Sequence, residues 1–458
     1  MTQQTNPDSP EAQSGKEEAG LVIEGALILT MEEEQRTENG PFTGDIRIAG
    51  SRIDAVRAGD AGQTGLRRPG DEVIDGRGRV AMPGLINAHQ HTPMSLLRGF
   101  SDDLKLMDWL ERKMFPAEDR MTPDDIEAGA RLAIAEMIRS GTTAFADMYI
   151  HMDRIAEAVS ETGMRASLTR GLITAADDGG RRMREALELI DRCQGAADGR
   201  ITTMLGPHSP FLCSPEALQE IAALAESRRI PVHIHLAETV EEVFLIRERH
   251  GRTPAEHLRE LGIIGPRVHT LLAHAVHLTQ GDIELLRGMR GGVSHNPVSN
   301  MKLGCGAAPV PDMLRAGITV GLGTDGAGSA TTLDMFQEVR AAAWMHRLTA
   351  GDPTAFCAYR ALRMATAGSA ELLGLGGEIG TLTPGKKADV ILIGLDRPHL
   401  QPVHDVYSLL AYAANGSDVE TVVVDGRVLM RDRELTTLDE ERVLREAAGI
   451  AARITAGI

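Results

Sequence analysis

The chain has 458 residues and a formal net charge of −17, from 65 acidic against 48 basic residues, and such a surface repels a phosphate backbone and argues against nucleic acid as a partner. Apolar residues make up 42%, which excludes a disordered or fibrous chain. The four cysteines, Cys193, Cys213, Cys305 and Cys357, lie too far apart for a disulfide framework or a zinc finger, so a reducing compartment is the simpler expectation.

Residues 1–19 read as a loose polar tail without the apolar stretch of a signal peptide. Residues 20–83 carry short β-rich pieces, LVIEGALILTM, GDIRIAGSRIDAVRAG and DEVIDGRGRVAMPG, punctuated by Gly and Asp turns. Comparable text returns within 386–435 as ADVILIGLD and ETVVVDGRVLM. Each piece alone offers little core, so both chain ends are expected to build one composite β-sandwich domain. Residues 436–458 are expected to form a C-terminal helix. No uncharged apolar run reaches 18 residues, so no membrane span is expected and the chain reads as cytoplasmic.

The middle, 84–385, alternates buried strands with Ala/Leu/Glu-rich helices. Strand candidates are LINAHQH (85–91), TTAFADM (142–148), RASLTRG (165–171) and ITTMLGPH (201–208). They continue with PVHIHLAE (231–238), HTLLAHAV (269–276), GGVSHNP (291–297) and ITVGLGTD (318–325). Helix starts are expected at Thr122-Pro123 with Asp125, and at Ser214-Pro215. Eight βα units close a (β/α)8 barrel of about 250 residues. The runner-up, a doubly wound open sheet, would carry a glycine-rich loop after its first strand, where this chain has His-Gln-His.

Polar residues gather at the C-terminal ends of these strands, where barrel chemistry is built. His89 and His91 are two apart on the first strand and point to one face. With His235 from the fifth strand and Asp325 from the eighth they make an N₃O set for one borderline divalent ion, with a position left for water. His233 shares the face of His235 but lies deeper, as a hydrogen-bonded structural histidine. Glu238, just past the fifth strand, is either an acid for a substrate nitrogen or a helix-start residue. His274 sits between alanines in the sixth strand, where it could hold the attacking oxygen, and His277 is assigned a supporting place. None of the six lysines falls at the end of the fourth strand, so no bridging lysine supports a second metal. His208 stands there instead, as a substrate contact or as a loop cap with Ser209.

PGLINAHQHTPMSLLRGFSDDLKLMDWL, GPHSPFLCSPE, HIHLAETVEE, LLAHAVHL, VSHNPVSNMKLGCGAAPV and GLGTDGAGS resemble the amidohydrolase superfamily, and within it the 5'-methylthioadenosine/S-adenosylhomocysteine deaminases. The resemblance runs from about residue 20 to about residue 435 and includes GTLTPGKKADVILIGLD and VVVDGRVL of the flanking β-domain. It implies His89, His91, His235 and Asp325 as ligands of one divalent metal per subunit, zinc first, with iron(II) or manganese(II) as alternatives. It implies Glu238 as acid, His274 as the residue that positions a metal-bound hydroxide, Asp325 as base and His208 as a substrate contact. It further implies a ribose grip at Asp108 beside Trp109, and Arg170 near the distal end of the substrate, with a strand-end ion pair as the alternative for Arg170. The expected reaction is hydrolytic deamination at C6 of an adenine nucleoside by a homo-oligomer. The alternatives are a guanine, hydroxyatrazine or chlorotriazine hydrolase of the same superfamily, and a non-enzymatic barrel. Deaminases built on Cys-x-x-Cys zinc sites are excluded, because that spacing is absent.

Overall fold

The first strands follow the Gly- and Asp-bounded apolar pieces: β1 (Leu21–Ile28), β2 (Phe42–Ala49), β3 (Arg52–Ala58), β4 (Glu72–Asp75) and β5 (Arg79–Pro83). In this computed structural model the residues described are 19–33, 40–104, 106–174 and 178–458, so all but the last residue of the tail expected at 1–19 lies outside them. The next eight strands carry the barrel: β6 (Leu85–Gln90), β7 (Thr142–Tyr149), β8 (Arg165–Leu172), β9 (Ile201–Pro207), β10 (Val232–Leu236), β11 (His269–His274), β12 (Arg290–His295) and β13 (Thr319–Leu322). They pair in chain order as one parallel sheet. β13 returns beside β6, where the Asp325 N–H donates to the His89 carbonyl at 2.9 Å. The helix starts fall where expected. Thr122 and Asp125 close a capping box on the helix Pro123–Arg139, and Ser214 caps the helix Pro215–Arg228.

After the barrel come β14 (Val390–Gly394), β15 (Val419–Val424), β16 (Arg427–Arg431) and β17 (Glu434–Leu435). The flanking sheet runs β17-β16-β15-β14-β5-β1-β2-β3, with β4 added on β1. β14 pairs antiparallel with β5, from Val390 opposite Pro83 to Gly394 opposite Arg79, and this is the seam between the two chain ends. Ile23, Ile46, Ile53, Val390 and Val423 share one buried cluster there, so neither half has a core without the other. A buried ion pair, Arg165 Nε to Asp389 Oδ2 at 2.8 Å, ties the start of β8 to this domain.

Six of the eight barrel strands end before the bounds expected for them, and three of these run into left-handed turns. β10 stops at Leu236, β11 at His274 and β13 at Leu322, so Glu238, Val276 and Asp325 belong to turns. Left-handed backbone ends or follows each ladder, with φ of 48° at Ala237, 72° at His274, 50° at Ala275 and 64° at Asp325. Non-glycine residues adopt that conformation rarely and at a cost of about 1–3 kcal/mol, repaid here by the bonds that hold the side chains of these turns.

Candidate metal centre

His89 lies within β6 and is fully buried, while His91 follows the strand and opens the 3₁₀ turn Thr92–Leu97. Nitrogen or oxygen atoms of His89, His91 and Asp325 all come within 4.8 Å of one another, as do those of His89, His235 and His274. Both groups share His89, so the two sets describe one centre. His274 joins His89 and His235 in the second group, so grouping alone does not separate it from the four residues assigned to the metal.

The outer face of each ring is already held. The Nδ1 of His91 donates to the Met148 carbonyl at 2.6 Å, and the Nδ1 of His235 donates to the His208 carbonyl at 2.7 Å. The Nδ1 of His274 faces Asn300 Oδ1 at 2.9 Å, and the Nδ1 of His89 pairs with His233 Nε2 at 2.8 Å. With Nδ1 carrying the proton, the Nε2 lone pairs are free for the centre, the usual arrangement of histidine ligands. His233 thus has the deep, supporting place read from its strand position.

Asp325 is held as firmly. Its Oδ2 accepts from Ser299 Oγ at 2.7 Å and Ser329 Oγ at 2.8 Å, and its Oδ1 accepts from the Gly326 N–H at 2.8 Å. That Oδ1 stands 3.2 Å from His91 Nε2 and 3.5 Å from His89 Nε2. Burial opposes ionisation of Asp325, but the adjacent His89 and His91 outweigh it and hold the carboxyl well below its usual range. Burial likewise lowers His91, yet the Asp325 carboxylate prevails and lifts it to about 9. Burial dominates elsewhere, taking His89 to about 3, His208 to about 4 and His235 well below its ordinary value. His89 and His235 kept neutral beside an ionised carboxylate suit a divalent cation, which would take the place of the proton that Asp325 holds on His91. The buried His89 Nε2 has no hydrogen-bond partner, which fits a ligand atom better than a structural one. The residues present therefore fit one divalent ion with mixed nitrogen and oxygen donors.

Glu238 Oε2 lies 3.9 Å from His274 Nε2. Burial raises its carboxyl above the usual range, which favours the protonated acid. His208 stacks on His235 with ring centroids 4.5 Å apart, and its carbonyl, rather than its ring, is what orients that histidine. His277 joins the turn through its backbone, its N–H donating to the Ala237 carbonyl at 2.9 Å.

Of three residues expected at the substrate, Asp108 and Arg170 are engaged in ion pairs elsewhere and Trp109 packs behind the Asp325 segment. Asp108 pairs with Arg112 at 3.1 Å on a half-exposed helical face. Trp109 is buried, donates to the Ser101 carbonyl at 3.1 Å and packs beside Gly328, just after Asp325. Arg170 pairs with Glu185 at 2.7 Å and lines a cavity of about 220 Å³ with His151, Met152 and Glu188, which is the strand-end ion pair set beside a substrate role.

Sequence reasoning passed over other residues. Glu118 accepts from the Tyr149 hydroxyl at 2.5 Å, and burial raises its carboxyl while the neighbouring imidazole of His91 pulls it back. Its signal was the apolar run Met114–Ala117 ahead of it, whose Met114 and Ala117 are fully buried, whereas Asp108 lies one turn from charged Glu111 and Arg112. Asp147 accepts from the backbone and hydroxyl of Thr92, next to His91, and burial raises it to about 6. Ser299 and Asn300 carried no spacing signal, because their partners Asp325 and His274 follow other strands, whereas Ser329 lies only four residues after its partner Asp325.

The amidohydrolase family profile matches residues 80–429. A 5-methylthioadenosine/S-adenosylhomocysteine deaminase of Pelotomaculum thermopropionicum is 47% identical over 437 residues, 95% of this chain and 99% of that one. A 5'-deoxyadenosine deaminase of Methanosarcina mazei is 44% identical over 442 residues, 96% of this chain and 99% of its own. An adenosine deaminase from Xanthomonas campestris, crystallised with bound zinc, has a similar structure with a TM-score of 0.89 at 33% identity, across 95% of this chain and 98% of that one. The chain belongs to the amidohydrolase family, and within it lies close to the 5-methylthioadenosine/S-adenosylhomocysteine deaminases.

Proposed function

We propose that this chain is a metal-dependent aminohydrolase that replaces the C6 amino group of adenine nucleosides by oxygen and releases ammonia. Its substrates are 5'-methylthioadenosine, S-adenosylhomocysteine and adenosine. The observation that carries this reading is Glu238, a carboxyl raised by burial and set 3.9 Å from His274 beside the metal residues. A simple amide needs no acid in that position, whereas an aromatic ring attacked at C6 must be protonated at N1.

His89, His91, His235 and Asp325 would hold the ion, zinc first. Bound there, a divalent ion supplies Lewis acidity and a water pKa near 7. Asp325 accepts a proton from the attacking water, and Ser299 and Ser329 keep its second oxygen turned away. Glu238 delivers a proton to N1 as the ring loses its aromaticity. His274, with Nδ1 turned to Asn300, offers Nε2 to the attacking oxygen. The proton on Asp325 then leaves with ammonia, the remaining proton of that water makes good the one Glu238 gave to N1, and the product is the inosine-type nucleoside. Two carboxyls with opposite pKa directions divide base and acid work.

For substrate contacts we assign His208 beside the ring and Trp109 as a buried wall, and Arg170 remains the candidate for the distal 5' substituent. The ribose hydroxyls are better served by Glu118 than by Asp108, since Glu118 feels the charge of His91 and Asp108 is engaged with Arg112. Among the described residues no helix is long and apolar enough to cross a membrane. Cytoplasmic residence is supported by the four free cysteines. Self-association is supported by Trp344 and Leu348, 56% and 81% exposed one turn apart on the helix Met335–Ala350.

Ammonia release from adenosine, 2'-deoxyadenosine, 5'-methylthioadenosine, S-adenosylhomocysteine and guanine, with chloride release from a chlorotriazine, tests this reading. The adenine ribonucleosides are expected to react. The 2'-deoxy analogue should lose about ten- to a hundredfold in kcat/KM, the worth of one charge-assisted hydrogen bond. Glu118→Gln should erase that discrimination and Asp108→Ala should keep it. Guanine or triazine turnover at the rate of adenosine overturns the substrate class, and equal rates on adenosine and 2'-deoxyadenosine overturn the ribose contact.

A further inference from the structure

Four helices of this chain begin with Thr-x-x-acid: Thr122 with Asp125, Thr239 with Glu242, Thr253 with Glu256 and Thr279 with Asp282. In the first, third and fourth the acid reaches back to the N–H of its own cap threonine and closes an ordinary capping box. The second departs from this pattern. Thr239 still accepts from the Glu242 N–H at 3.2 Å, but the carboxylate of Glu242 passes over Thr239 to the residues before it. Its Oε1 accepts from the Ala237 N–H at 2.8 Å and its Oε2 from the Glu238 N–H at 3.0 Å.

Glu242 is 3% exposed, and a buried carboxyl costs several kcal/mol unless it is well bonded, so the diversion is not surface chemistry. The turn it grips is the strained one, with Ala237 at φ 48°. That turn is knitted on its other side to the His274 turn, because the Ala237 carbonyl accepts from the N–H groups of Val276 at 3.1 Å and His277 at 2.9 Å. A cap that served only the helix would gain nothing by reaching past Thr239.

We propose that Glu242 is a positioning residue for the reaction: both oxygens of its carboxyl clamp the 237–238 backbone and so aim the Glu238 carboxyl at the substrate. The proposal rests on the assignment of Glu238 as the acid. Two N–H donors need two acceptor oxygens, and glutamine offers one, with its amide NH₂ turned against the other donor. Displacement of a catalytic group by about 1 Å can cost on the order of a hundredfold.

A double-mutant cycle in kcat, normalised to bound zinc and folded fraction, tests it. Glu242→Gln in the parent enzyme should lower kcat about ten- to a hundredfold, with KM and zinc content little changed. In the Glu238→Gln background the same change should lower kcat by less than about threefold, since no acid is left to misplace. Equal losses in both backgrounds, or a fall in melting temperature with kcat intact, overturn the proposal alone. An unchanged kcat in Glu238→Gln overturns the acid assignment and the proposal with it. Should Glu242→Gln not fold, Glu242→Asp, which keeps both carboxyl oxygens but is one methylene short, enters the cycle in its place with the same outcomes.

Discussion

Replacing Glu238 by Gln should lower kcat ~10²–10⁴-fold, the usual worth of a general acid, while one zinc per chain stays bound. The residue lies beyond the strand, with its carboxyl near His274 rather than at the centre of the His89, His91 and Asp325 set. Glutamine preserves its shape and removes its proton. The pH profile carries a second signature. Burial raises the Glu238 pKa, so the protonated acid persists above the ordinary carboxyl range and activity falls as pH rises through the raised value. That alkaline limb should vanish in Glu238→Gln. Loss of zinc from the variant would instead make Glu238 a ligand.

Asp325→Ala is expected to have the larger effect. The carboxylate stands 3.2 Å from His91 Nε2 and 3.5 Å from His89 Nε2, and it is the only ionised oxygen donor assigned to the ion. An outer-shell partner is typically worth 10–100-fold in metal affinity, so loss of a ligand should exceed about a hundredfold. Turnover should fall to near background at any practical zinc concentration. Zinc stabilises the fold by mass action, about 2.7 kcal/mol at a hundred times its Kd, so the rise in Tm on adding zinc should disappear as well. The Ser299 and Ser329 hydroxyls would lose their acceptor, adding a metal-independent loss of stability. A variant that turned over at the parent rate would sink both the ligand and the base assignments.

The barrel was legible because strands buried on both faces read as short apolar runs, and β7, buried at all eight positions, is the plainest of them. The ends of β10, β11 and β13 were not legible. Ala237 and Ala275 have no local reason to turn left-handed, and bonds between neighbouring strand ends impose it, whereas His274 and Asp325 are of types that tolerate the conformation. His89 and His91 could be found from a two-residue spacing, and Asp325 from its place after an apolar strand. Arg170 was harder to place, although the two-residue period held the clue: it shares parity with Ala166 and Leu168, which join the same core as Leu189 and Ile190 of the neighbouring helix. Its guanidinium correspondingly reaches Glu185 on that helix. Asp108 rests on the resemblance, which implies an acid just before Trp109, and sequence adjacency does not report which face of a short helix is covered. Glu118, ten residues on, is the acid brought toward His91.

The proposed deaminase works with one metal ion held between the ends of β6, β10 and β13. Its most direct test is to strip the protein of metal, titrate it with zinc and follow ammonia release from 5'-methylthioadenosine. The predicted curve rises from a background rate near zero and breaks sharply at one zinc per chain, with the inosine-type product formed mole for mole with ammonia. Full activity without metal, or a plateau reached only at two zinc ions per chain, would contradict it.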